Sequence, residues 1–139
     1  MTATTPTPRS IPEEMLDALA RTANALDYDA HMALISRSVN VFGVPGFEVI
    51  SYDDWARQCR HEFTNRLLKR VHYEGARIVS STPNRILFKT LETTEGTDGT
   101  RNHHGLEALI EKESDGAWRV TQERILPDED VAFGRHKTR

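Results

Sequence analysis

The fold is decided by residues 102–126, which read NHHGLEALIEKESDGAWRVTQERIL. Apolar and charged residues alternate through the first half of this stretch, as they do in a strand with one buried face. Ser114-Asp115-Gly116 then has the composition of a tight turn, and a second strand follows. Strands joined by so short a link must be antiparallel. We therefore predict an antiparallel hairpin here.

Alternation within this hairpin also predicts which side chains face the core. The apolar side of the first strand carries alternate residues, namely Leu106, Ala108 and Ile110. His104 continues that side towards the start of the strand. In the second strand, the side that bears Trp118 and Val120 leads to Gln122. These positions are therefore predicted to face inwards.

Two further strands precede the hairpin, so that four are predicted near 69–80, 84–94, 102–113 and 117–126. Turn residues separate the first two at Thr82-Pro83-Asn84, and the loop EGTDG at 95–99 leads to the third. Short links of this kind predict an antiparallel meander. A shorter strand, Val39-Asn40-Val41-Phe42, is predicted ahead of them.

Three amphipathic helices are predicted in the first half of the chain. Ser10 and Glu13 form a capping box that opens a helix over about 11–26. Asp27 caps a second helix, with Tyr28, Met32 and Ile35 on one side. A second capping box at Ser51 opens the third helix. Its buried stripe is predicted to contain Tyr52, Trp55, Cys59 and Phe63.

A chain of 139 residues is long enough for one domain with its own core. Residues 1–9 are rich in Thr and Pro without apolar periodicity, which indicates a flexible tail. The domain is predicted over 10–127, and 128–139 has the composition of a polar C-terminal tail. We find no internal repeat.

Charge and hydropathy exclude several classes of protein. A net charge of −3 is not typical of a general nucleic-acid binder. The sequence has no apolar run of the ~20 residues that a membrane span needs, and its first residues have no apolar segment typical of a signal peptide. The single cysteine, Cys59, fits a reducing compartment. We therefore expect a cytoplasmic protein that binds neither nucleic acid nor membrane.

The order of elements resembles the nuclear transport factor 2-like superfamily, also called cystatin-like α+β. The residues that carry the resemblance are ALDYDA at 25–30, Gly46 before the third helix, and the Asp-Gly-x-Trp-Arg-Val strand starting at Asp115. It covers roughly residues 10–127. The superfamily includes ketosteroid isomerases, scytalone dehydratase and SnoaL-like polyketide cyclases.

The resemblance implies an α+β fold in which three N-terminal helices pack in a strongly curved, mainly antiparallel sheet. We call this arrangement the α+β cone, and its open end is expected to be a pocket for a small-molecule ligand. The resemblance also implies a homodimer that pairs through the outer face of the sheet. That face is expected to carry Leu87, Leu91 and Leu109, which are too apolar to leave bare.

Ketosteroid isomerase chemistry is not expected from this sequence. Enzymes of that kind resembling this fold use a carboxylate base on the first strand, together with a tyrosine and a protonated aspartate as donors. Here the first strand, 39–42, contains no carboxylate. The predicted inner face of the strand at 102–113 carries no acid either.

Dehydratases resembling this fold work instead with histidines, tyrosines and an aspartate. The residues of these types in this chain are Tyr28, Asp29, His31, His72 and His104. We take His104, Tyr28 and His72 as the candidate catalytic residues, because imidazole and phenol groups exchange protons readily. Trp55, Gln122 and Leu106 are the candidate ligand-binding residues.

Each of these candidates also has a purely structural interpretation. His104 would equally suit a core histidine with satisfied hydrogen bonds or a position at the rim of the cone. His72 lies in a strand that alternates poorly, so that either face is open to it. Tyr28 stands at a helix start, where capping and packing are common roles.

The sequence does not favour a metal site or another cofactor. His61-Glu62-Phe63-Thr64-Asn65 begins like the zincin helix motif, but Asn65 stands where the second ligand should be. His103 and His104 are adjacent in a strand and so point to opposite faces. We expect no metal and no cofactor, and we interpret Cys59 as a buried structural thiol.

These patterns predict a small-molecule-binding protein of the SnoaL-like or ketosteroid isomerase-like cone fold. Lyase or isomerase chemistry on a small apolar organic substrate is one interpretation. The alternative is a non-catalytic ligand-binding or dimeric interaction module. Two or more titratable groups converging on the inner face would favour the enzyme.

Overall fold

The computed structural model describes residues 10–126, which form one α+β unit. Its elements in chain order are α1 (Ile11–Asn24), α2 (Tyr28–Met32), β1 (Ile35–Phe42), α3 (Tyr52–Thr64), β2 (Leu68–Thr82), β3 (Arg85–Gly96), β4 (Arg101–Lys112) and β5 (Trp118–Leu126). The predicted tails at 1–9 and 128–139 lie outside the described residues. Within 10–126, no helix is both long and apolar enough to cross a membrane.

The five strands form a single mixed sheet in the order β1-β5-β4-β3-β2. Strands β2 to β5 make the antiparallel meander predicted from the turns. Strand β1 pairs in parallel with β5 and closes the other edge. The predicted α+β fold class is therefore confirmed.

The first strand begins earlier than predicted. Ile35, assigned from its spacing to the second helix, is instead the first residue of β1 and pairs with Val120. The backbone N–H of Val120 donates to the Leu34 carbonyl at 2.9 Å, so that β5 draws this segment into the sheet. Pairing in the sheet overrides the local helical pattern.

Both predicted capping boxes are present. Ser10 accepts from the Glu13 backbone while the Glu13 side chain accepts from the Ser10 backbone. Ser51 and Asp54 make the same reciprocal pair at the start of α3. Each box satisfies two backbone donors that the first turn would otherwise leave unpaired.

The core lies between the helices and the inner face of the sheet. Its buried apolar residues include Leu19 from α1, Phe63 from α3, Phe88 from β3, Ile110 from β4 and Val120 from β5. Full burial of a side chain of this size contributes about 1.5–3 kcal/mol. In the predicted stripe of α3, Cys59 and Phe63 are buried, whereas Tyr52 and Trp55 are half-buried.

A side-chain amide fastens α1 to the edge strand β2. Asn24 Nδ2 donates to the Val71 carbonyl at 3.1 Å, and the Val71 N–H donates to Asn24 Oδ1 at 2.7 Å. The amide therefore makes the two hydrogen bonds that a neighbouring strand would make. This contact positions the inner residues of β2 against the helix.

A one-residue bulge in β5 changes the direction of its side chains. Leu109 pairs with Gln122 and Ile110 with Val120, which leaves Thr121 as an extra residue. Val120 therefore faces the core, and Gln122 faces outwards beside Leu109. The expected inward direction of Gln122 is wrong, because a bulge interrupts the strict alternation on which it rested.

Glu123 takes the inward position after the bulge. It pairs with Ala108 of β4 and with Val41 of β1, both of which are buried core residues. Only 8% of Glu123 remains exposed. The strand thus delivers a carboxyl group, instead of the expected amide, to the inner face.

Gly43 permits the close approach of two backbones where β1 ends. Its φ is +88°, and a Cβ at this position would lie 2.6 Å from the Ile125 carbonyl oxygen. Gly46 in the same loop has a φ of +89°, but a Cβ there would meet no atom within 4 Å. Comparing the two glycines therefore separates the effect of the backbone conformation from the effect of steric crowding.

We predict that Gly43→Ala destabilises the fold more than Gly46→Ala. Both variants incur the left-handed backbone cost of about 1–2 kcal/mol. Gly43→Ala also pushes a methyl group into the backbone of β5, which should add at least about 1 kcal/mol. Urea unfolding of both variants measures the difference, and equal free energies of unfolding would contradict this account.

The apolar side chains on the outer face of the sheet are less exposed than predicted. Leu91 and Leu109 do lie on that face, but they are only 5% and 8% exposed within one chain. The larger exposed apolar side chains of the sheet lie on the edge strand β2, where Ile78 is 47% and Val79 is 51% exposed. Exposed apolar groups on an unpaired edge favour self-association.

Homodimer formation therefore stays a prediction. Light scattering at micromolar concentration should report about twice the chain mass of 15.8 kDa. If the edge of β2 is the contact, a charged residue in Ile78→Lys should weaken the dimer. A monomeric mass for the unaltered protein at these concentrations would overturn the prediction.

Candidate functional site

A cavity of about 790 Å³ opens between the inner face of the sheet and the helices. Its apolar wall includes Leu19, Val41, Ile50, Trp55, Phe63 and Val71. Residues of the loop between β1 and α3, among them Val44 and the exposed Phe47, line it as well. An apolar cavity of this size with a few polar groups has the usual form of a small-molecule site.

Eight titratable side chains of the described residues line this cavity, of which Asp54, Arg57, Cys59 and Glu62 come from α3. The other four are His31 from α2, Tyr73 from β2, Glu92 from β3 and Glu123 from β5. Each comes from a different element, so that their convergence depends on the tertiary fold. We call these four residues the polar cluster.

Tyr73, Glu92 and His104 form a row across three neighbouring strands. Glu92 pairs with Tyr73 on β2 and with His104 on β4, which places all three side chains on the inner face. His104 Nε2 lies 2.7 Å from Glu92 Oε1. The Tyr73 hydroxyl donates to the same carboxylate. Glu92 is thus held from both sides.

Burial raises the pKa of Tyr73 well above its ordinary value, and the nearby charges of Glu92 and Glu123 add to the effect. The phenol therefore remains protonated and remains a donor. A carboxylate accepts hydrogen bonds at about four positions, of which the two neighbours use two. Glu92 consequently retains acceptor capacity towards the cavity.

Burial also raises the pKa of Glu123 well above its ordinary value, and the negative charge of Glu92 contributes. Two carboxyl groups that influence one another in an apolar site do not ionise together easily. The raised pKa of Glu123 favours its protonated form, and Glu92 is the carboxyl group that has two hydrogen-bonding neighbours. One cavity can then offer a proton acceptor and a proton donor.

His31 is the uncharged member of the polar cluster. Burial lowers its pKa to about 4, although the Leu19 carbonyl and the charge of Glu92 act in the opposite direction. Its Nδ1 lies 2.8 Å from Thr22 Oγ1, and its ring packs against Phe63 with centroids 5.7 Å apart. The imidazole is therefore neutral at physiological pH.

Cys59 belongs to the cavity wall, but its thiol is not activated. Burial raises its pKa to about 12, and the charge of Glu62 adds to this. A nucleophilic cysteine needs the opposite shift. Its placement agrees with the structural role predicted from the stripe of α3.

Three of the residues singled out from the sequence lie at or next to the cavity. Trp55 lines it directly. His104 lies on the inner face, where it contacts Glu92 of the wall. Leu106 lies on the same face and is 1% exposed, packed next to this region. Their functional roles remain predictions.

The other three candidate residues, Tyr28, His72 and Gln122, do not line the cavity. Tyr28 borders a separate surface cleft, where the Arg60 guanidinium lies 4.4 Å from the centre of its ring. His72 pairs with Thr93 on the outer face and has its Nε2 3.8 Å from Glu74 Oε2. Gln122 faces outwards because of the bulge. The structure does not bring these three side chains to the cavity.

Solved structures share this architecture over most of the chain. A candidate scytalone dehydratase from Novosphingobium aromaticivorans has a TM-score of 0.66 at 12% identity, with 81% of this chain and 78% of that chain covered. A ketosteroid isomerase-like protein from Erwinia carotovora has a TM-score of 0.61 at 17% identity, with 83% and 92% covered. A protein of unknown function with a cystatin-like fold from Nostoc punctiforme has a TM-score of 0.63 at 11% identity, with 81% and 85% covered.

The chain has the nuclear transport factor 2-like fold. No protein-family model matches it, and no curated protein matches it in sequence. At identities of 10–17%, the likeness to solved structures concerns the fold. The function of this chain must therefore be argued from its own cavity.

Sequence reasoning missed most of the polar cluster. Glu92 could have been found, because Ile86, Phe88, Thr90 and Glu92 alternate onto one face of β3. Tyr73 was hidden by the register shifts of β2, and Glu123 by the bulge of β5. The sequence identifies His31 only as a titratable residue near the start of a helix.

The polar cluster is not arranged as a metal centre. Within residues 10–126, no group of three or more His, Cys, Asp or Glu side chains is placed to hold a metal ion. Hydrogen bonds and burial account for the arrangement of Tyr73, Glu92 and His104. Carboxyl, phenol and imidazole groups are side chains that can donate or accept protons.

We predict that Glu123→Gln changes how stability depends on pH. The folded pKa of Glu123 is raised, so that its contribution to stability is complete below pH ~4 and is lost as the pH rises through the folded value. Glutamine resembles the protonated acid at every pH. The variant should therefore equal the unaltered protein near pH 4 and exceed it at neutral and alkaline pH.

Urea unfolding of both proteins between pH 4 and 9 tests this. The lowered pKa of His31 has the opposite sign, with stability lost as the pH falls from 6.5 to about 4. That contribution is common to both proteins, and it cancels in the comparison. A pH-independent difference between them would show that Glu123 ionises normally.

Proposed function

We propose that this protein is an acid–base enzyme, a lyase or isomerase, that moves a proton on a small, uncharged and largely apolar organic molecule. The observation that carries the proposal is the pair of carboxyl groups, Glu92 and Glu123, in one apolar cavity with different environments. Environments that separate the protonation states of two carboxyl groups assign one as base and the other as acid.

Glu92 is the proposed base. It is the carboxyl group with two hydrogen-bonding neighbours, Tyr73 and His104, which hold its orientation towards the cavity. His104 contacts the base and not the cavity, and so it acts as a positioning residue.

Glu123 is the proposed acid. Its raised pKa favours the protonated form, which can donate to a carbonyl oxygen or to a departing hydroxyl group. The residue is buried among apolar neighbours, where such a hydrogen bond is stronger than in water. The pair can thus withdraw a proton at one atom and supply one at another.

The wall of the cavity favours an uncharged substrate. Among the charged side chains of the wall, Asp54, Glu62 and Glu92 outnumber Arg57, which disfavours anions. The aromatic rings of Trp55 and Phe63 favour flat apolar groups. The volume of about 790 Å³ is large enough for a fused ring system. Proton transfer on such a molecule requires an acidic carbon–hydrogen bond beside a carbonyl group.

The reaction class also agrees with the names of two fold neighbours, which are a candidate scytalone dehydratase and a ketosteroid isomerase-like protein. Elimination of water and migration of a double bond both begin with removal of a proton next to an activating group. We carry this class, and no particular substrate, over to the present chain.

Proton exchange at 2-tetralone, a flat apolar ketone, tests the proposal. In deuterium oxide the unaltered protein should accelerate exchange of the hydrogens next to the carbonyl group, followed by NMR. Glu92→Gln should reduce the rate by roughly 10²–10⁴-fold, since it removes the base. His104→Gln should reduce it by roughly 10²-fold, because the contact that positions Glu92 is lost.

Glu107→Gln is the matched control for loss of a carboxylate. Glu107 lies on the outer face of β4, opposite Lys89 and Arg124, and does not line the cavity. It should leave the exchange rate unchanged. If 2-tetralone binds but the protein does not accelerate its exchange, the alternative of a non-catalytic ligand-binding module is favoured instead. His104→Gln would then change only affinity.

A further inference from the structure

We propose that His31 recognises a hydroxyl group of the ligand, with Nε2 as the hydrogen-bond acceptor. This inference deepens the proposed function and rests on the same cavity. It assigns to the ligand a hydroxyl group in addition to the group on which the carboxyl pair acts. The assignment depends on the position of the ring, on its tautomer and on its charge.

The position of His31 combines burial with access to the cavity. The residue is 7% exposed, lies on α2 and lines the same wall as Glu92. Phe63 packs against its ring and restricts its orientation. A polar ring in such a place must find hydrogen bonds on the protein or on a bound molecule.

The tautomer is set by α1. Thr22 Oγ1 donates its hydrogen to the Ala18 carbonyl at 2.8 Å, so that its lone pair is available to Nδ1, which lies 2.8 Å away. The Leu19 carbonyl lies 3.3 Å from the same Oγ1 and is a second acceptor on this side of the ring. Nδ1 therefore carries the hydrogen of the neutral imidazole.

Nε2 is then the nitrogen with a free lone pair. The two ring nitrogens point in nearly opposite directions, so that an Nδ1 directed at α1 turns Nε2 away from that helix. A neutral imidazole has one donor and one acceptor, and here the donor is used within the protein. What remains for the ligand is an acceptor.

Charge makes this acceptor selective. Since burial lowers the pKa of His31 to about 4, the ring stays neutral at physiological pH and does not turn into a donor. A ligand with a hydroxyl group satisfies Nε2, whereas an analogue without one leaves a buried acceptor unpaired. Sites of this type discriminate strongly against the analogue that lacks the donor.

The test compares 2-naphthol with 2-methoxynaphthalene, which have the same ring system but differ in the hydrogen that can be donated. Isothermal titration calorimetry should show about tenfold tighter binding of 2-naphthol to the unaltered protein, the value of about one net hydrogen bond. His31→Phe should remove this preference while the affinity for 2-methoxynaphthalene stays similar. Phenylalanine keeps a ring in the site, and Thr22 keeps its bond to Ala18.

Thr22→Val provides an independent variant outside the cavity wall. It removes the acceptor that holds the hydrogen on Nδ1, so that the other tautomer becomes populated and the preference for 2-naphthol should decrease. Long-range ¹H–¹⁵N spectra of the imidazole report the tautomer directly. The unaltered protein should show Nε2 as the nitrogen without hydrogen, and its resonance should shift when 2-naphthol is added.

Several results would overturn the assignment. They are a hydrogen on Nε2 in the unaltered protein, a preference that survives in His31→Phe, and no binding of 2-naphthol up to its solubility limit. If Glu92→Gln abolishes the preference instead, the hydroxyl is recognised by Glu92. None of these results bears on proton exchange at 2-tetralone, so that failure of this inference and failure of the proposed function remain distinguishable.

Discussion

The candidate site of this structure depends on one extra residue in β5. Thr121 interrupts the pairing of β5 with β4, so that Val120 stays in the core while the next inward position moves from Gln122 to Glu123. Without the bulge, Gln122 would face the cavity and a neutral amide would stand beside Glu92. The Thr121 hydroxyl donates to the Leu109 carbonyl at 3.3 Å, which ties the bulge to the neighbouring strand. Bulges often redirect side chains next to active sites, and this one directs a carboxyl group.

The same carboxyl group explains why the cavity is chemically asymmetric. Glu92 stands in a row of donors formed by Tyr73 and His104, whereas Glu123 is surrounded by apolar residues and faces the charge of its neighbour. Identical functional groups are thereby given different affinities for a proton. The folded chain bears the free-energy cost of burying this second acid. Functional sites commonly contain such locally unfavourable groups, which the rest of the core must offset.

Much of the architecture could be predicted from the sequence, because turns and helix caps are local signals. The capping boxes at Ser10 and Ser51 and the order of the meander are of this kind. The inward direction of the His104 side chain could also be predicted from alternation, because β4 pairs regularly up to Leu109. The site itself was predicted poorly. Its members depend on irregularities of strand pairing, and nothing in the residues around Thr121 distinguishes a bulged strand from a regular one.

The hydrogen bonds of Asn24 have a consequence for how molecules reach the cavity. Because this amide replaces a neighbouring strand at Val71, α1 cannot move away from β2 without breaking two hydrogen bonds at once. That side of the cone is therefore sealed by backbone-like contacts. The cavity is also bounded by the loop that carries Phe47, whose side chain is largely exposed although it lines the cavity. A molecule that passes the Phe47 loop displaces side chains and breaks neither hydrogen bond of Asn24.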